Sequence, residues 1–490
     1  MAEPARERTE VLVIGSGAGG AVTAFELAAA GRDVAVLEEG GEHADDEYGK
    51  SSPEAMRLLY RRRGMTPILG KVPLGYVEGA CVGGSTEINS GFWHRTPREV
   101  LSRWHAQFDL AHVGVGEMTP HFEWAEARLG ISKYEGEWPK STQVFARGID
   151  AMGWASQEVP RAAPGCRSTN ACASGCPTGA KRGMSRAIWP EARERGARLV
   201  TRCRVHQLLF ERHRCIGVLA EVEVDEGRRV LARIDADHVI VCAGPTETPA
   251  LLRRSGVKFH VGETLRVHPM LKVAARFPET IDAQDSVLPL LQVKEFWPDV
   301  SLGGAFFTPG HLALGLSDNW PETSDRMARY RNMASYYVAV RGAGRGWVRP
   351  SKLGDGATLL HYDVGPEDLK NLSRGLGRLA SLLLAAGAEE VLPAVRGMPV
   401  IRNEREAVRW LDEPLPKANL SLTTVHAFSS CPIGERSDRC AADSFGKLRR
   451  YENLYVNDAS VLPDSPGVNP QGSVMAFARR NALHFLNQIS

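Results

Sequence analysis

The chain has 490 residues, 43% of them hydrophobic, enough apolar material for a large core and for two or three folding units. Its 60 Lys and Arg nearly cancel its 58 Asp and Glu, so no bulk field draws it to nucleic acid or anionic lipid. No window approaches the roughly 18 apolar residues that span a bilayer, and the opening MAEPARERTE is polar where a secretion signal carries an apolar stretch, so a cytoplasmic protein with no membrane partner is expected.

Residues 10–14, EVLVI, form a short β-branched apolar run, followed at once by GSGAGG and then by AVTAFELAAAG, whose Ala, Leu and Phe pattern suits a helix. Gly15 permits the sharp turn, Gly17 lets the backbone approach a pyrophosphate, and Gly20 lets the helix pack closely on the strand. The helix N-terminus then turns its unpaired N–H groups and positive dipole end toward the phosphates. Gly31 ends the helix, RDVAVLE reads as a second parallel strand, and Glu38 stands 23 positions after Gly15, where a carboxylate accepts hydrogen bonds from a ribose. This predicts a dinucleotide site without separating FAD from NAD.

GYVEGACVGGSTEINSGFWHR, residues 75–95, resembles the flavin-contacting loop of the glucose-methanol-choline (GMC) oxidoreductase family. The resemblance implies that Gly83, Gly84 and Ser85 lie against the isoalloxazine and that Asn89 hydrogen-bonds the cofactor. GPTETPALLRRSG (244–256) is similar to the family's second signature, with Lys258 where a Gly is usual, and GETLRVHP (262–269) is similar to the segment after it. In the C-terminal block NLYVNDASVLPDSPGVNPQGSVMAFARRNA, Asp458 falls on a flavin-domain acid and Pro470 lies in the last strand-to-helix turn, at the cofactor. Val205 looks like the strand residue whose backbone meets the adenine, its alternative being plain core.

The resemblance runs from about residue 10 to the end and is weakest in 100–160 and 275–415. It implies an α/β fold: a Rossmann-type FAD-binding domain assembled from 1–100, 185–270 and 415–490, and a second, substrate domain built on an antiparallel sheet from 101–184 and 271–414. Within 335–363, SYYVAVRGAGRGWVRP and GATLLHYDV alternate apolar and polar residues around Gly turns, as a hairpin with one wet face does. EDLKNLSRGLGRLASLLLAAGAEEVLP (367–393) predicts an amphipathic helix ending at Gly387.

The chemistry implied is oxidation of an alcohol CH–OH to a carbonyl, with FAD as hydride acceptor at N5 and dioxygen or another acceptor taking the electrons onward. His426, in TTVHAFSSCPIG, falls on the family's catalytic His, and Asn469 on the second member of its catalytic pair. A base must take the hydroxyl proton as hydride leaves, and a neutral imidazole is available near pH 7. An Asn cannot titrate, so Asn469 would orient the substrate oxygen, held extended by the Pro that follows. The alternatives are a turn-forming Asn-Pro and a core His satisfied by backbone. His94 and His268 read as structural or supporting groups. Glu87 stands where some members tether flavin through a His, so FAD is expected to be non-covalent.

GCRSTNACASGCPTGAK spaces Cys166, Cys172 and Cys176 with gaps of five and three, the last followed by Pro. Such spacing can ligate an iron–sulfur cluster, as in some sugar dehydrogenases of the family. Alcohol and cholesterol oxidases of the family show a comparable pattern without one, so thiols or a local disulfide, with Lys181 and Arg182 as structural neighbours, are expected instead. Zinc is disfavoured, with no fourth Cys or His at finger spacing. The remaining cysteines, scattered through a large chain, suit reduced thiols in the core. Trp93, Trp297, Trp320, Tyr336, Tyr337 and Trp347 could stack on a sugar ring, although most aromatics are core. A sugar, aminosugar, polyol or hydroxylated secondary metabolite is preferred to a lipophilic alcohol, because no long apolar loop is evident. A non-redox lyase on the flavin scaffold is the alternative; a non-enzymatic nucleotide-binding protein would leave the His and Asn motifs without a purpose.

Overall fold

The structure, a computed structural model, describes residues 5–225, 227–351 and 356–489. Among these, two large sheets carry the molecule, each over its own hydrophobic core. In the first, Ala5–Ile14 lies between Val34–Leu37 and Arg228–Val241, parallel to both, with Arg198–Val200 and Leu454–Val456 extending the parallel set. Cys203–Glu211, Arg214–Asp225 and Arg228–Val241 then fold as an antiparallel meander on one side. Ile14 is in register with both Leu37 and Val241, and Val241 with Val456, so the parallel strands end level. In such sheets the ligand crevice lies beyond those carboxyl ends.

The Rossmann-type reading of the N-terminus is borne out. Strand Ala5–Ile14 turns at Gly15 (φ +101°) into helix Ala18–Ala29. A Cβ on Gly20 would lie 1.9 Å from Gly15 O, the close helix-to-strand contact that its place in the motif demands. Helix Ala18–Ala29 packs against the C-terminal helix Gln471–Ile489, so the two ends of the chain share one layer.

The second sheet is mainly antiparallel, as expected. Its centre is Met270–Arg276, Met333–Val340, Val300–Gly304 and Leu291–Val293, in that order. Helix Pro366–Ala385 covers its back, so close that a Cβ on Gly375 would meet Val338 Cγ1 at 2.3 Å. That helix stops before Gly387 (φ +93°), as the sequence predicts. Thr66–Leu69, Leu74–Tyr76 and Leu422–Thr424 also join this sheet, so chain from 1–100 and 415–490 runs into it as well as into the first.

One expectation is corrected. Residues 335–363 do not form a single hairpin: Arg345–Pro350 pairs with Thr358–Asp363, whereas Met333–Val340 pairs with Met270–Arg276 and Val300–Gly304. Alternation marks a strand and its wet face but carries no information about its partner. No helix among the described residues is long and apolar enough to cross a membrane.

Candidate active site

A cavity of about 890 Å³ runs between the sheets, lined at one end by Gly15–Gly19 and Glu38 and at the other by His268, Gln292, His426 and Asn469. Helix Ala18–Ala29 opens into it with no side chain capping its first turn, leaving its N–H groups for an anion. A Cβ on Gly17 would approach the Gly83 carbonyl and Gly84 Cα at 3.9 Å, so two glycine turns abut in the wall of the cavity. Gly83 and Gly84 both hold positive φ, +91° and +56°. Glu38 accepts from Ser16 N (2.9 Å), Ser16 Oγ (2.6 Å) and Gly40 N (2.8 Å), and burial raises its pKa despite those bonds. Asp458 accepts from Gly244 N (2.9 Å), Thr248 Oγ1 (2.5 Å) and Ser460 N (2.7 Å). Val205 also lines the cavity, and a register shift between Val205 and Gln207 breaks the ladder there. Arg254 lines the same end; its buried Nη1 lacks a hydrogen-bond partner, with only Glu247 Oε2 at 3.9 Å. An uncapped helix, glycine turns that leave backbone open to the cavity and an orphaned guanidinium nitrogen fit a bound dinucleotide.

The flavin-loop residues divide between two faces. Ser85 and Asn89 line the cavity. Ser85 Oγ accepts from Gly79 N (3.0 Å); Asn89 donates to Gln471 Oε1 (2.6 Å) and accepts from Gly91 N (3.0 Å). Glu87 points the other way, 1% exposed, and accepts from Ser185 N at 3.1 Å. Buried Lys181 holds the loop from behind, donating to the carbonyls of Glu87 (2.6 Å), Asn89 (3.0 Å) and Cys172 (2.6 Å). The three clustered cysteines meet different partners. Arg161 donates to Cys166 Sγ (3.6 Å) and Cys172 Sγ (3.2 Å), while Cys176 Sγ meets Thr178 Oγ1 (3.3 Å) and Lys181 N (3.5 Å). Among the described residues no group of His, Cys, Asp or Glu is arranged to hold a metal, and the cysteines are unpaired.

At the other end, the short ladder Arg266–Val267 against Ala427–Phe428 sets His268 beside His426, Nδ1 to Nδ1 at 3.0 Å. SPGVNPQGS (465–473) supplies both ends of the constellation: Ser465 Oγ reaches His268 Nε2 (2.8 Å), and Asn469 Nδ2 reaches His426 Nε2 (3.3 Å). The protons along this chain follow from valence. Ser465 spends its hydroxyl proton on Arg341 O (2.6 Å), so Oγ accepts from His268 Nε2–H. Burial holds His268 neutral, its pKa well below the usual value, so its Nδ1 is bare and accepts from His426 Nδ1–H. Burial, and then the Lys272 ammonium, bring His426 down to about 4, so its Nε2 carries a lone pair at neutral pH.

The far side gives the same answer. Lys294 Nζ donates to Gln292 Oε1 (2.9 Å), so the Gln292 amide nitrogen must donate onward, to Tyr337 OH (2.8 Å) and Asn469 Oδ1 (3.3 Å). Asn469 therefore turns its NH2 to His426 Nε2. Tyr337 reaches across because Gly303 lies beneath it, where a Cβ would sit 2.7 Å from the hydroxyl. His94 lies behind Lys294, Nε2 to Nζ 3.4 Å, neutral because burial takes its pKa to about 3.

His268, Ser465, Gln292, Lys294 and Lys272 are the site residues that sequence reasoning misses or undervalues; only His268 and Ser465 lie in motifs. Of the six aromatics considered, Trp297 and Tyr337 line the cavity. Trp93 and Tyr336 are core, Trp320 is exposed on the surface, and Trp347 stacks on His361 at 5.1 Å.

Comparison with known proteins bears on the whole chain. The family model described as GMC oxidoreductase matches residues 10–270 with its N-terminal part and 345–478 with its C-terminal part. An uncharacterized GMC-type oxidoreductase of Sinorhizobium fredii, y4nJ, is 39% identical over 98% of this chain and 95% of its own length. A long-chain-alcohol oxidase of Arabidopsis thaliana, FAO3, is 28% identical over 96% of this chain and 67% of its own. The crystal structure of pyridoxine 4-oxidase from Mesorbium loti superposes with a TM-score of 0.74 at 18% identity, covering 98% and 99% of the two chains, a likeness of fold. Motifs, fold and family models agree, and this chain belongs to the GMC oxidoreductase family, as an oxidoreductase.

Proposed function

We propose that the protein oxidises the CH–OH group of a small-molecule alcohol to a carbonyl, using FAD held without a covalent bond, with His426 as general base and Asn469 as the group that orients the substrate oxygen. Bound FAD supplies the acceptor for the hydride. The observation that carries the reading is the proton order at His426: hydrogen-bond chains from Arg341 O and from Lys294 both require a bare Nε2 facing the cavity. A substrate hydroxyl placed between Nε2 and the Asn469 amide would give its proton to the imidazole. The imidazolium formed would keep its Nδ1–H on His268, which orients the ring in both states. The segments 1–100, 185–270 and 415–490 would hold FAD, through Gly15, Gly17, Gly20, Glu38, Gly83, Gly84, Ser85, Asn89, Val205, Asp458 and Pro470. Non-covalent binding is supported by Glu87, which faces away from the cavity. The oxidase relatives favour dioxygen as the electron acceptor.

The test is anaerobic mixing of the purified holoprotein with a panel of alcohols. Bleaching of the oxidised flavin band is expected with at least one. A flavin that stays oxidised throughout the panel, with the cofactor retained, would return the non-redox lyase reading.

A further inference from the structure

One rung of the second sheet crosses the substrate end of the cavity. Lys272 lies opposite Tyr337, Tyr337 opposite Gly303, and Gly303 opposite Gln292. Side chains in register on neighbouring strands share a face, so this rung sets a cation, a phenol and a carboxamide in one row. Tyr337 and Gln292 are bonded to each other and, through Gln292, to Asn469. Lys272 is left over. It lines the cavity, with Nζ 5.9 Å from the Tyr337 ring centroid, and among the described residues it makes no hydrogen bond or ion pair. Burial alone brings its pKa to about 8, with no carboxylate opposing the shift. It stands near enough to His426 and His311 to disfavour the proton on both.

The cavity's acids are elsewhere. Glu38 and Asp458 are satisfied at the cofactor end, Glu39 and Glu78 pair with Arg61, Glu247 accepts from Thr358 Oγ1, Asp318 has Arg396 at 3.9 Å, and Asp299 is on the exposed rim. Lys294 adds a second positive charge to the same chamber. Ala274, Phe306, Leu312 and Leu392 supply apolar wall to this chamber, alongside Ser335, His311 and Tyr337. An ammonium in such surroundings is costly until an anion joins it.

We propose that the natural substrate is a hydroxy acid: an alcohol whose carboxylate pairs with Lys272 while its hydroxyl lies between His426 and Asn469. The place of the hydroxyl rests on the oxidation reading above; the place of the carboxylate does not. An apolar body between the two groups matches the walls.

The experiment titrates the holoprotein with para-(hydroxymethyl)benzoate and ω-hydroxyhexanoate, each against its methyl ester, reading affinity from the flavin difference spectrum and reduction from anaerobic bleaching. We expect at least one acid to bind about tenfold or more tighter than its ester, the scale of one charge-assisted hydrogen bond. In Lys272→Met that preference should vanish, with the acid losing far more affinity than the ester. The proposal is overturned if the acids bind no tighter than the esters, if the variant weakens acid and ester alike, or if it moves the flavin reduction potential while the acid preference persists. Bleaching by esters without acid preference rejects the hydroxy acid and leaves oxidation standing. Acid-selective binding lost in Lys272→Met, with flavin never reduced, keeps the anion site and rejects oxidation.

Discussion

The two ends of the cavity are built by opposite means. At the cofactor end the walls come largely from contiguous motifs: Gly15 to Gly20 and Gly83 to Asn89, where glycine is dictated by a positive φ or a close approach, and the turn at Asp458. At the substrate end the walls are side chains of Lys272, Gln292, Tyr337, His426 and Asn469, far apart in sequence and joined only by strand register and two short loops. Backbone-built sites leave a local signature; register-built sites leave none until the partners are known. The first end should therefore tolerate little change without losing its ligand, and the second should change its chemistry while keeping it.

His426→Ala tests the second half of that statement most severely. The variant should keep its yellow cofactor and lose flavin reduction by about 10² or more, as for removal of a general base. Undiminished reduction in anaerobic stopped flow would reject the role. Lys181→Met probes the first half. It leaves the carbonyls of Glu87, Asn89 and Cys172 without their common donor. Each buried carbonyl without a partner costs about 1–3 kcal/mol, so the loss of stability should reach about 3 kcal/mol, accompanied by release of FAD. Thermal unfolding of the holoprotein reads both, and an unchanged midpoint with flavin retained would mean that other contacts hold the loop.

The same contrast explains what was legible in the chain. The first turn, the second strand, the helix before Gly387 and the family itself could be read because glycine spacing and apolar periodicity are local. His426 and Asn469 stand out only through resemblance; as bare residues they are a His after Thr-Thr-Val and an Asn before a Pro. Gln292 could not have been found, since its importance comes from lying opposite Gly303, which lets Tyr337 reach across to it. Sequence alone leaves His268 too small a part, because its contact with His426, 158 positions away, depends on a two-residue ladder. The hairpin expected within 335–363 fails for a related reason: pairing is set by packing on Pro366–Ala385 and on neighbouring strands, beyond the reach of alternation.

Acidity offers a gentler perturbation. The His426 imidazole titrates at about 4, lowered first by burial and then by Lys272. A base is active when unprotonated, so the rate of flavin reduction should stay level as pH falls through 6.5 and decline about tenfold per unit only below about 4. An acid limb near 6.5 would place the imidazole in water and break the account of the site. In Lys272→Met the limb should move upward, because the charge that opposes protonation has gone.

The smallest change separates the halves most sharply. Gln292 touches no glycine motif, yet its amide fixes which way Asn469 faces, because Lys294 occupies its oxygen and leaves only its NH2 to donate. Gln292→Leu keeps bulk on the sheet and removes that instruction, so the Asn469 amide is held only by its own donation to His426 Nε2 and is less well fixed. Flavin reduction should fall by about tenfold or less, a fraction of what loss of the base costs, with FAD fully retained. Asn469→Ala should cost a similar amount, and the double variant little more than either alone, since both changes act through one amide. Losses that multiply would show that Gln292 meets the substrate directly, and the row across the sheet would then be a binding surface in its own right.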